Sequence, residues 1–383
     1  MTSTLDSVAR PLRLATYNVE WFTHLFDRND RLKYDDKWSA RYNVTRAQQA
    51  DAIAQVLKAV DADLFLITEA PNDGVKSKRS TVQALTHFAG VYRLRQRAAL
   101  IGFPSPTFQE IALLFDPDRI AARHDPIGEF VSAEAADRVE PFHRSDAAVR
   151  GQVFPGAPRF DGVFPWDIDK PTAGSPPQRE INVFSKPPLE AIVTDLDAAR
   201  SFRLIGVHMK SKNGKPKRDN EEQADEAAED DSAALAIRRK HLGQSIWLRA
   251  RIAEHLAAGD DVVALGDFND GPGLDDFERQ LGQSGLDLII GDDADNAHRL
   301  AVAPGPARPT TRYWRQDVRA YAEAAIDHIL LSAGIADCTD PEWRTWRPDD
   351  PTRRLSAELS QALETASDHF PVSVDLTWPR DRR

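Results

Sequence analysis

An α+β fold, with its strands lined up in packed sheets, is predicted by three observations. Short continuous apolar runs recur along the chain, as buried strands require. Between several of them lie segments whose apolar residues fall at helical spacing. Strand after strand ends on, or just before, a polar residue able to do chemistry.

Residues 12–17 read as the first strand, with Asn18 at its end. Asn43 is a candidate cap for a helix whose Ile53, Val56, Leu57 and Val60 fall at i, i+3, i+4 and i+7. Residues 63–68 form a run of the buried-strand type, closed by Glu69. Val82, Leu85 and Ala89 mark a second helix, and residues 92–97 and 110–115 read as strands. From about 117 to 180 the periodicity fades, with seven prolines between Pro141 and Pro177, so an irregular insertion is expected. It reads equally as a surface excursion packed by Phe154, Phe160, Phe164 and Trp166 or as a wall facing a substrate.

Strand character resumes at 189–196 and 202–207. A charged, solvated loop is expected at about 210–231, basic at Lys210, Lys212, Lys215, Lys217 and Arg218 and then acidic from Asp219 to Asp231. A long helix follows over about 232–258, with Leu242, Ile246, Ala250, Ala253 and Leu256 on one face. Residues 261–265, 326–331 and 370–376 supply further strands. No internal repeat or Ser/Gly linker interrupts the pattern, so residues 1–383 read as one domain.

Hydrophobic residues make up 41% of the chain, enough for a sizeable core. The net charge of -11 argues against a non-specific coat on DNA, because such binding is phosphate neutralisation by Lys and Arg. A polyanionic substrate held locally through metal ions stays compatible with it. The single cysteine, Cys338, allows no internal disulfide and no thiolate-based zinc site. Residues 1–14 hold Asp6, Arg10, Pro11 and Arg13 and no apolar stretch, so no secretory signal is expected. The longest apolar runs, such as 64–67 and 286–290, are far too short to cross a bilayer. A cytoplasmic protein without a membrane anchor is the expectation.

The polar strand ends are Asn18, Glu69, His208, Asp267 with Asn269, Asp327, and the pair Asp368-His369. If the strands pack in sheets, these ends can meet on one rim. Taken singly, Asn18 reads as a turn residue, Glu69 as a rim charge and His208 as a structural histidine. Gly266-Asp267-Phe268-Asn269 and Ser367-Asp368-His369 are stronger, since an adjacent Asp and His entering a strand serve no packing purpose. Four carboxylates so close would repel one another unless a hard divalent cation sat among them. Oxygen ligands without thiolate point to Mg2+ or Mn2+ rather than zinc. A carboxylate beside such an ion can take a proton from water, and imidazoles and amides can hold charge developing on phosphate oxygens.

The ordered set resembles the endonuclease/exonuclease/phosphatase superfamily, the DNase I-like group. It runs through Ala15-Thr16-Tyr17-Asn18, Ile67-Thr68-Glu69, Val207-His208, Gly266-Asp267-Phe268-Asn269, Ile326-Asp327-His328 and Ser367-Asp368-His369, and so spans positions 12 to 376. The resemblance implies a four-layer α/β/β/α sandwich of two mixed sheets. It implies Glu69 as the principal metal ligand, with Asn18 and Asp368 nearby, and Asp267 as the residue that orients or deprotonates the attacking water. Asn269 then holds a phosphate oxygen, His369 pairs with Asp327 and meets the scissile phosphate, and His208 matches the family's second histidine. Thr68 stands where the family has Gln, and Lys186 where it often has Arg; Lys meets a phosphate as a point charge rather than a fork. The family's active-site tyrosine has three candidates here, Tyr92, Tyr313 and Tyr321.

A nuclease or phosphodiesterase is therefore expected, with Asn18, Lys186 and Lys210 as substrate contacts and a phosphate ester, nucleic acid included, as partner. Two alternatives are a phosphatase or phosphodiesterase on a small or lipid-derived phosphate, and an inactive binding scaffold.

Overall fold

The computed structural model describes residues 10–73, 78–105, 107–126, 163–167, 179–212, 226–275, 278–279, 282–292, 294–315, 318–350 and 354–379. Most of the expected insertion, including Phe154 and Phe160, lies outside these residues, as do Lys215, Lys217, Arg218 and the acidic run up to Asp225.

The strands sort into two large mixed sheets. The first contains β1 (Leu12–Asn18), β2 (Leu64–Ala70), β3 (Ala98–Ile101), β4 (Glu110–Phe115), β14 (Glu342–Thr345) and β15 (Val372–Leu376), in the order β14-β15-β1-β2-β4-β3. The second contains β5 (Ile120–His124), β8 (Leu189–Asp195), β9 (Arg200–His208), β10 (Val262–Asp267) and β13 (Asp327–Leu331), in the order β13-β10-β9-β8-β5. Each sheet has one parallel pair inside it, β1 with β2 and β9 with β10. Two hairpins stand apart, β6 (Val163–Asp167) with β7 (Arg179–Val183), and β11 (Thr311–Arg315) with β12 (Ala320–Ala324).

Alternation along the strands builds the layers. Leu12, Leu14, Leu64, Leu66 and Leu113 of the first sheet meet Leu189, Ala191, Leu204, Val263 and Leu265 of the second in one buried cluster. The other face of the first sheet, with Tyr17, Phe65 and Ile67, packs on α1 (Arg46–Val60), α2 (Thr81–Tyr92) and α6 (Ala357–Ala366). The outer face of the second, with Ile205, Val207 and Ala264, packs on α3 (Glu226–Ala257) and α4 (Gly285–Ile290). A further short helix, α5 (Ala333–Thr339), follows β13. The result is the helix–sheet–sheet–helix stack that the resemblance implies. Among the described residues, no helix is long and apolar enough to cross a membrane.

Several local expectations need correction. Thr45, not Asn43, caps α1: it accepts from Gln48 N and forms a full capping box, while Asn43 takes a left-handed turn at φ 58. The strand expected at 92–97 begins only at Ala98, because α2 runs on to Tyr92 and ends on Arg93 in a left-handed cap. Ile120–His124, expected to be irregular, is the edge strand of the second sheet, held in register by β8. The helix expected from about 232 starts at Glu226, so part of the acidic run is helical rather than loop.

Candidate active site

Both parallel pairs run their carboxyl ends to the same place. In the first sheet Asn18 lies in register with Thr68, one residue before Glu69. In the second Asp267 is flanked by His208 on one side and Asp327 on the other. Face-to-face packing of the sheets brings these ends into contact: the Asn18 amide donates to Asp267 Oδ2 at 3.1 Å.

Local backbone chemistry aims the side chains. Glu69 has φ 55 at a break in the β2–β4 register, a left-handed conformation that a non-glycine residue adopts at a cost of about 1–3 kcal/mol. Its Oε2 accepts from Trp21 N at 2.9 Å and from Gln109 Nε2 at 2.8 Å. Gly266, inside β10, has φ 141, and a Cβ there would fall 2.0 Å from the carbonyl oxygen of Val207, so this strand position beside Asp267 requires glycine. Asn269, at φ 49, donates its backbone N–H to Asp267 Oδ1 at 2.9 Å and its amide to Met209 O at 3.1 Å.

Asp267 is the centre of a buried polar group. His208 Nε2 is 3.5 Å from its Oδ2 and 3.0 Å from Lys186 Nζ. Asp327 Oδ2 lies 2.8 Å from His369 Nδ1 and accepts from Thr310 Oγ1 at 2.7 Å. Asp267, Asp327 and His369 each bring a ligand-capable atom within 4.8 Å of the others.

Burial and then Asp327 push the Asp267 carboxyl up to about 7. Burial and then Lys186 hold the His208 imidazole well below its ordinary range. Burial alone would lower His369 as well, but Asp327 and neighbouring carboxylates outweigh it and keep the imidazole charged. Burial pulls Lys186 down against the attraction of Glu69 and Asp267, with Lys210 adding repulsion. Thus one imidazole is neutral and the other cationic, and Lys210 lies near enough to repel Lys186.

A residue missed in the sequence completes the rim. Glu20 follows Asn18 by two positions and accepts from Asp368 N at 3.3 Å. Burial and then Asp368 raise its carboxyl to about 7, with Glu69 adding to the push, while Arg41 pairs with it and pulls the other way. Ser367 ties this corner together: its Oγ donates to Asn18 O at 2.7 Å and accepts from His369 N at 3.1 Å and Glu20 N at 3.3 Å. The Asn-x-Glu spacing was the available signal, and nothing local in the sequence gave it weight. Of the tyrosines, Tyr92 donates to Asp51 on α1, and Tyr313 and Tyr321 lie on the β11–β12 hairpin.

The donor set fits a hard cation. Asn18 Oδ1 is buried and has no hydrogen-bond partner. Asn18 is bonded to Asp267, whose carboxyl burial and Asp327 push up, and Glu20, two residues along, is pushed up by burial, Asp368 and Glu69. A divalent ion relieves both conditions, because it satisfies the orphan oxygen and favours the carboxylate forms. Among the described residues the trio of Asp267, Asp327 and His369 is the one such group, and the expected ligands Glu69 and Asp368 do not gather with other acidic or histidine ligand atoms at that distance. In that trio His369 Nδ1 and Asp327 Oδ2 are already engaged with each other.

The sequence profile of the Endonuclease/Exonuclease/phosphatase family matches residues 15–369. No curated protein is significantly similar to the chain. Among solved structures, an endonuclease/exonuclease/phosphatase family protein from Bacteroides thetaiotaomicron is 15% identical, with 97% of this chain and 98% of that one covered and a TM-score of 0.46. Truncated TDP2 from Caenorhabditis elegans is 12% identical over 96% of this chain and 98% of its own, at a TM-score of 0.46. The mannosyl-6-phosphatase Bt3783 of Bacteroides thetaiotaomicron is 14% identical over 96% and 100%, at 0.45.

Proposed function

The chain belongs to the endonuclease/exonuclease/phosphatase family, and from that premise we propose that it is a divalent-cation-dependent hydrolase of phosphoester bonds, acting on phosphodiesters such as nucleic acid. The observation that carries this reading is the buried, unpartnered Asn18 Oδ1 on a residue bonded to Asp267, with Glu20, Asp368 and Glu69 repelling one another two residues along. We read residues 1–383 as one catalytic domain.

Glu69, Asn18 and Asp368 would hold Mg2+ or Mn2+, with Glu20 beside them. When bound, the cation supplies a Lewis acid that draws charge from a phosphoryl oxygen. The remaining chemistry belongs to the chain. Asp267 takes the proton of the attacking water, and its position near neutrality suits a general base. Asn18 and the Asn269 N–H fix its two oxygens, which leaves the carboxylate one orientation. His369, held by Asp327, offers its other N–H to a phosphoryl oxygen. Lys186 and Lys210 add positive charge on the same side, and neutral His208 separates Lys186 from Asp267 without adding to it. The amide of Asn269 is spent on Met209 O in the free protein, so a phosphate contact there requires that bond to be exchanged.

The second reading, a phosphatase on a small phosphate, is favoured by the net charge of -11, which repels long polyanions. A panel decides. Plasmid DNA, a single-stranded oligonucleotide, RNA, inositol phosphates and a generic diester are each incubated with Mn2+ and with chelator. Metal-dependent cleavage of the polymers supports the first reading. Turnover of the small phosphates alone supports the second, and no turnover of any substrate overturns both.

A further inference from the structure

The β11–β12 hairpin belongs to neither large sheet, yet it is rooted on the candidate catalytic pair. Thr310 Oγ1 donates to Asp327, Thr311 bridges to His369, and Arg312 N donates to Asp368 O at 2.7 Å. Three residues beyond Thr311, Trp314 stands opposite Tyr321 across the strands. Their rings meet edge to face at 5.2 Å, and both are largely in solvent, at 50% and 61% exposure. The Arg312 guanidinium lies 4.7 Å over the Tyr321 ring.

Packing does not account for this face, since two large aromatic rings on a two-stranded ribbon bury little and stabilise a fold weakly. The charge is also local and contrary to the molecule as a whole. From Thr311 to Ala324 the hairpin carries Arg312, Arg315 and Arg319 against Asp317 and Glu323, in a chain of net charge -11, and Arg312 lies 3.7 Å from Glu364. Arg312 also lines a cavity of about 350 Å³ with Asp349, Gln361, Glu364 and Phe370, the residue after His369, a wall that joins an apolar ring to hydrogen-bonding groups.

We propose that Trp314 and Tyr321 form a stacking platform for a nucleobase of a single-stranded substrate whose phosphate lies at Asp267 and His369. The proposal rests on the phosphodiesterase reading and narrows its substrate class. Strand rise puts Trp314 about 10 Å along the ribbon from Thr311, the range of a nucleotide next to the reacting phosphate. An aromatic face takes any base, and an arginine beside it contributes cation–π attraction and backbone charge. A small sugar phosphate would not reach the platform.

The test is binding in EDTA, so that it does not depend on turnover. A fluorescent single-stranded oligonucleotide is compared by anisotropy with one of equal length built from abasic nucleotides. The wild type binds the base-bearing strand roughly tenfold or more tightly, in line with stacking on an aromatic side chain. The Trp314→Ala/Tyr321→Ala pair erases that ratio, and the Trp314→Phe/Tyr321→Phe pair, which keeps ring faces, preserves most of it. Trp314→Leu keeps the apolar bulk and guards against a hairpin that fails to fold; it too loses the ratio. Equal binding of the two strands by the wild type, or a ratio that survives Trp314→Leu and the alanine pair, overturns the platform. Hydrolysis with Mn2+ is scored separately. Base-dependent binding without hydrolysis of any phosphoester leaves the platform standing and removes the enzyme reading. Hydrolysis without base-dependent binding does the reverse.

Discussion

Asn18 and Asp267, 249 residues apart in the chain, are joined by a buried hydrogen bond of 3.1 Å that crosses from one sheet to the other. One end of the bond is a carboxylate assigned to move a proton. The other is an amide whose remaining oxygen is unpartnered. The contact therefore couples the packing of the sandwich to its chemistry. Asn18→Ala is expected to lower kcat/KM by about 100-fold or more while costing only about 1–3 kcal/mol of stability, the scale of one buried polar contact. Parallel kinetics and denaturant unfolding check this, and a stability loss with unchanged kinetics would contradict it.

Activity should depend on pH through Asp267. A general base works only when deprotonated, and burial with Asp327 places this carboxyl at about 7 in the metal-free protein. The rate is expected to fall as pH drops through that region. Added Mg2+ should move the limb to lower pH, because a nearby cation favours the carboxylate. A pH–rate profile at two metal concentrations measures it, and a limb that ignores the metal would count against the arrangement.

Gly266→Ala tests the close approach of β10 to Val207. A Cβ would meet the Val207 carbonyl oxygen at 2.0 Å with φ at 141, so the backbone must shift. A loss of about 3 kcal/mol or more is expected from the combined clash and strain. Thermal unfolding at matched pH reads it, and a melting temperature within a degree of wild type would show that glycine is not needed there.

Acid stability should draw on Asp270. Burial alone would raise this carboxyl, but His241 and Lys212 beside it hold it at about 2. A lowered folded-state pKa contributes stability that is present above the unfolded value of about 3.9 and lost as pH falls through about 2. Asp270→Asn should therefore be less stable at neutral pH and show a flatter acid-unfolding profile between about pH 5 and 2. Parallel profiles for the two proteins would refute this.

The layered fold was legible because its signal is local. Runs such as 64–67 and 262–265 are too apolar to be anything but buried, and helical spacing marked α1 and α2. The rim was legible because its residues sit at strand ends in a recognisable order. Glu20 was not, since the partner that gives it meaning, Asp368, lies 348 residues away. The edge strands β5 and β14 and the β11–β12 hairpin were missed for a different reason: each is partly exposed, so no strong apolar alternation marks it. The helical start of the acidic run at Glu226 was hidden by charge, which reads as solvated loop whatever the backbone does.

If Glu69 and its neighbours hold a cation, phosphoester hydrolysis stops without it. The most direct measurement is turnover of a diester against Mn2+ concentration, for the wild type and Glu69→Gln. Saturable dependence abolished by chelator is expected in the first, and a half-maximal concentration raised roughly tenfold or more in the second. Full turnover in excess chelator, or superimposable titrations for the two proteins, would contradict it.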